Sequence, residues 1–196
     1  MVALSATLAL LLALAAPAAA PATQSRSWPI DAAQSQVQFS VRKFWFAHVR
    51  GTFPALTGTV RRIDTHIGAD LVQVDAELDV DRLQMDDPRV RAHAFGPNFF
   101  DGARYPVIRF QSDPFPLTEL REGGELHGLL ELHGERHPVA LTLQASDCPR
   151  QPFACAIRLH GDISRAAFGM HAWRAVLSDK VGLDLRLRLV AHAAGG

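Results

Sequence analysis

No charged side chain occurs before Arg26. The opening MVALSATLALLLALAAPAAAPATQS is Leu-rich from Leu8 to Leu14 and Ala-rich after it, which is the shape of a secretory signal peptide. Its n-region lacks the usual Lys or Arg. Small-residue steps ending at Ala20 and Ala22 offer cleavage sites, the second preferred because Pro21 directly follows the first. A run of about 20 apolar residues is also long enough to span a bilayer as an uncleaved anchor. The alanine content, the small residues at its end and the lack of a flanking basic cluster favour cleavage. The expectation is a signal peptide over 1–22 and one mature domain over 23–196, long enough to bury its own core.

Cysteine is scarce: Cys148 and Cys155, in CPRQPFAC, are the only two. In an exported chain that spacing predicts a disulfide across the base of a hairpin loop, with two free thiols as the alternative. The pair alone makes no zinc site, which normally takes four ligands at closer spacing. Lysine is as scarce, with Lys43 and Lys180 the only two among 20 basic residues, and the formal net charge is zero. No basic stripe exists to neutralise phosphates, so a nucleic-acid partner is not expected. The chain also lacks a G-x-S-x-G elbow, a G-x-G-x-x-G turn and a phosphate loop, which leaves enzyme activity without a motif.

Nine histidines are present, the densest set being His127, His133 and His137. On a strand covering 126–133, His127 and His133 share a face but lie about 20 Å apart. No carboxylate or thiol completes a sphere around His133 and His137, so all three are expected as solvated outer-face groups. His93 and His171 are expected as structural or surface groups in a helix and a loop. The acids Asp75, Glu77 and Asp79 point one way along a strand, as on a solvated wall.

What the sequence does have is period two. Val37, Phe39 and Val41 alternate with polar residues, as do Val72, Val74, Ala76, Leu78 and Val80. Ile108 and Phe110, then Val139, Leu141 and Leu143, then Cys155, Ile157 and Leu159 repeat the pattern. Val181, Leu183, Leu185, Leu187 and Leu189 form the cleanest case. Alternation of this kind marks strands buried on one face, and the frequent glycines between them mark turns. Many short strands so arranged argue for a sandwich or an up-and-down barrel. The exception is DDPRVRAHAF (86–95), where Asp87 can cap and Pro88 can occupy the first helical position. One short helix of this sort covers a barrel end. Aromatic clusters at Phe44-Trp45-Phe46, Phe99-Phe100 and Phe168, Met170 and Trp173 stand where turns are normally polar; they either close the core or line a mouth and a dry interior.

Several ordered motifs go further. NFFDGARYPVIRF (98–110), LHGLLELHGERHPVAL (126–141) and GDISRAAFGM (161–170), with the opening DAAQSQVQFSVRKF and the GTF…GTV pair, resemble the YceI-like, lipocalin-shaped periplasmic proteins over about residues 28–190. The matching motif residues are Phe99, Phe100, Asp101, Tyr105 and Pro106, then Arg165, Phe168 and Gly169. Most read as fold determinants, with Arg165 expected to pair with Asp101 or another acid. The chain departs from the family pattern where Val90-Arg91 replaces an Arg-Asp pair and where Lys43 or Phe44 replaces a histidine.

The resemblance implies an all-β, eight-stranded antiparallel lipocalin-like barrel with one short helix, holding a polyisoprenoid-like lipid in the periplasm, non-catalytic and without a cofactor. Its expected lining is Phe39, Val41, Phe53, Leu78, Phe110, Leu130, Leu141, Ile157, Phe168 and Leu185. The expected partner is an isoprenoid or other long apolar lipid, with transient membrane contact and a homodimer as further partner classes. Two alternatives stand beside this carrier: a stress-related interaction module with a packed barrel, and a His-dependent metal-binding enzyme.

Overall fold

A computed structural model describes residues 27–64 and 70–190; the expected signal peptide lies outside them. The first half of the chain forms β1 (Ser27–Pro29), β2 (Gln36–Lys43), β3 (Ala47–Pro54), β4 (Thr57–Asp64) and β5 (Asp70–Asp79), followed by a 3-10 turn (Val80–Arg82) and helix α1 (Pro88–Phe95). Then come β6 (Val107–Ser112), β7 (Phe115–Pro116), helix α2 (Glu119–Glu122), β8 (Gly124–Leu132), β9 (Glu135–Leu143), β10 (Ile157–Ser164) and β11 (Leu177–Leu187).

All eleven strands join one antiparallel sheet in the order β1-β4-β5-β6-β8-β9-β10-β11-β2-β3, with β7 beside β5. The sheet curls so that the chain leaving β1 meets the chain leaving β11. Ile30 bridges Leu189, the Val190 N–H donates to the Pro29 carbonyl at 2.8 Å, and the Asp31 N–H donates to the Arg188 carbonyl at 2.7 Å. The outer edge of β3 is tied at Thr52 to Gln84. The fold class is the lipocalin-like antiparallel one expected; the strand count is eleven rather than eight. The excess has a local cause. β6 pairs with Asp75–Asp79 and β7 with Leu71 and Val72, so β7 resumes the edge that β6 leaves where Pro114, lacking an N–H, interrupts the ladder. β1 adds only three residues at the seam.

Alternation sorts the side chains as the period-two pattern requires. Val37, Phe39 and Val41 on β2, Val72, Val74, Ala76 and Leu78 on β5, and Leu141 and Leu143 on β9 are buried. Outside, Asp75 pairs with Arg61 at 2.5 Å, Glu77 with Arg109 at 3.0 Å and Asp79 with Arg82 at 3.4 Å. Such exposed pairs each contribute little; their value is solubility of the wall.

Helix α1 begins where the sequence places it. Asp87 caps it, its carboxylate accepting the Arg89 N–H at 2.8 Å, with Pro88 at the first helical position. Arg91 reaches back, donating to the Leu83 and Asp81 carbonyls at 2.6 Å each, which clamps the helix to the segment that follows β5. Cys148 and Cys155 are disulfide-bonded, Cα–Cα 5.8 Å, within the β9–β10 loop.

Arg165 corrects an expectation. It pairs with no acid among the described residues. Instead Arg165, 3 % exposed, donates from its guanidinium to four backbone carbonyls: Ser178 at 2.9 Å, Met170 at 2.6 Å, Ala172 at 2.7 Å and Leu177 at 3.1 Å. Five fixed donors make arginine the side chain suited to that task. The Arg165 fork stitches the β10–β11 connection to itself, and Gly169 turns within it at φ +74°.

Candidate functional site

Inward-facing side chains of the curled sheet do not fill it. They leave a cavity of about 230 Å3 whose lining runs from Lys43, Val41, Phe39 and Val37 on β2 to Leu187 on β11. Lys43 and Val37 are six residues apart on one strand, so the void is about 20 Å long. At about 230 Å3 over that length, the void is a narrow tunnel.

Its polarity is one-sided. Among the lining residues only Lys43, His93 and Arg165 are ionisable. Lys43 pairs in register with Leu177 at the start of β11. His93 on α1 lies 5.6 Å from Trp173, itself 5.8 Å edge-on from Phe99. Arg165 bonds the carbonyls of Met170 and Ala172. All three thus gather at the α1 end. Lys43, His93 and Trp173 are exposed there, which makes that end the mouth. At the opposite end Phe115, Leu120, Leu126, Leu143 and Leu187 are each 5 % exposed or less, and the tunnel is closed by apolar packing.

Of the three ionisable groups, Arg165 is already committed to its carbonyls. Burial, with a smaller contribution from Arg174, lowers its pKa more than the nearby Asp179 raises it, and an arginine so shifted still stays charged. Lys43 and His93 remain as the polar groups at the doorway.

Of the ten residues expected to line the interior, Phe39, Val41, Phe53, Leu78, Phe110, Leu130, Leu141, Ile157 and Leu185 do so. Phe168 does not. It is 1 % exposed, packed beneath the β10–β11 connection with its ring edge-on to His137 at 5.2 Å. Its carbonyl lies 3.0 Å from His133 Nδ1. His133 and His137 are accordingly half-buried packing groups, not solvated outer-face ones; His137 sits on β9 opposite the inward-facing Leu130. His127 is exposed beside Glu125. Among the described residues no three His, Cys, Asp or Glu side chains converge to hold a metal ion.

Sequence reasoning missed the share of α1 in the mouth. Val90, His93 and Ala94 all line the cavity, and their i, i+3, i+4 spacing on α1 is the signal that one helix face looks inward. The remaining motif residues shape the surroundings. Pro106 immediately precedes β6. Tyr105 lies against Gly134, where a Cβ would come within 2.5 Å of the ring, and Phe99 and Phe100 line the tunnel. At the departures from the family pattern, Val90 faces the tunnel, Arg91 clamps α1, and Lys43 stands at the doorway.

Comparison with known proteins agrees with this architecture. The family model described as YceI-like domain matches residues 28–189. No curated protein matches the sequence. Among solved structures, BcnA of Burkholderia cenocepacia superposes with a TM-score of 0.66 at 19 % identity, over 83 % of this chain and 99 % of that one. A polyisoprenoid binding domain from Saccharophagus degradans, implicated in plant cell wall breakdown, gives 0.60 at 18 %, over 84 % and 98 %. The YCEI protein of Campylobacter jejuni gives 0.58 at 16 %, over 77 % and 90 %. At such identities the likeness is one of fold, whereas the family model spans nearly the whole described domain. With its tunnel, its α1 lid and its Arg165 stitch in place, the chain belongs to the YceI-like domain family.

Proposed function

We propose that this protein is a non-catalytic periplasmic carrier of a long, chain-like apolar lipid of the polyisoprenoid class, exported by a cleaved signal peptide over residues 1–22. The observation that carries the reading is the 230 Å3 tunnel, closed and apolar at one end and bearing its free polar groups, Lys43 and His93, only at the other. An amphipathic chain fits that gradient tail-first, with its polar end left beside those groups. The Saccharophagus degradans domain, described as polyisoprenoid binding, shares the fold. Export is supported by the apolar leader and by the Cys148–Cys155 bridge, because structural disulfides belong to oxidising compartments.

Energetics say why the ligand is long. About ten methylenes taken out of water are worth on the order of 8 kcal/mol, equivalent to roughly micromolar affinity before the 4 kcal/mol or more that association costs. A short chain is therefore held poorly and a tunnel-filling one well. A void of this size also argues against the packed interaction module.

The test is native mass spectrometry on protein purified without detergent, followed by titration with prenyl and alkyl alcohols of increasing length. A bound lipid is expected, together with affinity rising about fourfold per added methylene until the tunnel is full. A bare chain that binds no added prenyl compound overturns the proposal.

A further inference from the structure

Six large hydrophobic side chains are exposed among the described residues, and four of them stand at the tunnel mouth. Trp45 is 89 % exposed, Phe46 78 %, Trp173 52 % and Phe44 48 %. The first two point away from the molecule at the tip of the β2–β3 hairpin and line no part of the cavity. A scattered exposed hydrophobe needs no explanation; a cluster on one rim does.

The backbone holds this cluster in place at a cost. Phe44 and Trp173 both adopt left-handed conformations, φ +52° and +56°, uncommon for bulky residues and typical of positions that the surroundings impose for a purpose. The Phe44 N–H donates to the Val176 carbonyl at 2.8 Å, fastening the hairpin tip to the loop that carries Trp173. Phe44 and Phe46 stack at 6.5 Å.

Charge is segregated at the same place. Segments 42–50 and 166–177 contain Arg42, Lys43, Arg50 and Arg174 and no carboxylate, in a chain whose formal net charge is zero. Each of these four is exposed, and none forms an ion pair among the described residues, whereas Arg61, Arg62, Arg109 and Arg158 on the barrel wall all do. Aromatic rings flanked by unpaired cations match the headgroup region of a bilayer, and an anionic leaflet attracts each such cation. A second copy of the chain fits less well, since a two-fold contact lays the same patch against itself and sets cation against cation.

We propose that the Phe44–Phe46 hairpin tip and Trp173 dock into the interface of an anionic phospholipid membrane, seating the tunnel mouth against the bilayer. The inference rests on the carrier reading only for what then passes through the mouth.

Flotation of the mature chain with vesicles tests it, using phosphatidylethanolamine mixed with phosphatidylglycerol, and phosphatidylcholine alone. The wild-type chain is expected to float with the anionic vesicles and much less with the zwitterionic ones. The double variant Trp45→Ser, Phe46→Ser is expected to lose roughly tenfold or more in partitioning, as two aromatic side chains cease to leave water, while a prenyl alcohol probe in solution binds it as before. Arg42→Gln with Arg174→Gln lowers partitioning by about fivefold per charge on anionic vesicles only. Docking is overturned if the wild-type chain does not float, or if both variants float as it does with their circular dichroism unchanged. Docking stands and the carrier reading falls if flotation follows this pattern while no variant, nor the wild type, takes up the probe.

Discussion

Ala76 separates a hollow barrel from a filled one. It is 7 % exposed on β5, between Gly58 of β4 and Phe110 of β6, and its methyl looks into the tunnel. Ala76→Leu adds three carbons. If they enter the void they are worth up to about 2.4 kcal/mol of apolar burial, less about 0.5–1 kcal/mol for the ordered side chain, so the free protein gains on the order of 1.5 kcal/mol. In a packed interior the same change costs about 1–3 kcal/mol through overpacking. The two outcomes differ in sign and by about 3 kcal/mol, more than about 1 M in urea midpoint at a typical slope. The ligand responds oppositely. Three carbons of leucine exclude a similar length of bound chain, about 2.4 kcal/mol or roughly fiftyfold in Kd. Urea titration of the lipid-free protein and a fluorescent prenyl or alkyl probe measure the two effects. A variant that is destabilised by more than 1 kcal/mol and binds the probe as tightly as wild type refutes the tunnel argument.

Arg165→Gln strands backbone carbonyls that now share one guanidinium and is expected to cost about 3 kcal/mol or more, read as a lowered melting temperature, with Arg165→Lys recovering less than half because an ammonium cannot fork to all of them. Replacing Cys148 and Cys155 by serine opens an eight-residue loop, counted from Cys148 to Cys155, and is expected to cost about 2.5 kcal/mol in denaturant titration without altering the probe affinity. The Ser164 hydroxyl, then the Ala166 N–H and the Arg165 charge, hold the Asp179 pKa below its ordinary value against a smaller opposing effect of burial. Its contribution is therefore present above the unfolded carboxyl range, about pH 4, and is lost as pH falls through the folded value. Asp179→Asn should flatten the acid-side dependence of stability in that window, measured by thermal melts, and leave the neutral-pH slope unchanged.

Most of the fold was legible because most strands obey one rule. β2, β5, β6, β9, β10 and β11 bury one face and wet the other, and period two reports that directly. β3 is harder to see because Gly51 replaces an inward side chain: the Phe39 ring already occupies that space, and a Cβ there would lie 2.4 Å from it. β1 and β7, three and two residues long, exist only through their partners, so no local pattern marks them. The interior positions were readable for the same reason as the strands, but alternation identifies a buried face without saying whether it meets a void. Phe168, buried beneath a connection, was grouped with the tunnel lining from its aromatic cluster and not from alternation, and Val90, His93 and Ala94, on a helix with no fully buried residue, follow a period that alternation does not report. Arg165 illustrates a different blindness. A lone buried arginine suggests an acid by charge, whereas its partners here are main-chain carbonyls, which every sequence has and none displays.

The closed end of the tunnel has a consequence for traffic. A blind sleeve has a single doorway, so whatever occupies it must leave by the path it came in, head first if it arrived tail first. Donor and acceptor cannot be engaged at opposite ends, and no occupant can push its predecessor through. For the proposed carrier, uptake and delivery would then alternate at one rim, and the direction of net movement would be set by which surface that rim meets next, not by any asymmetry within the barrel.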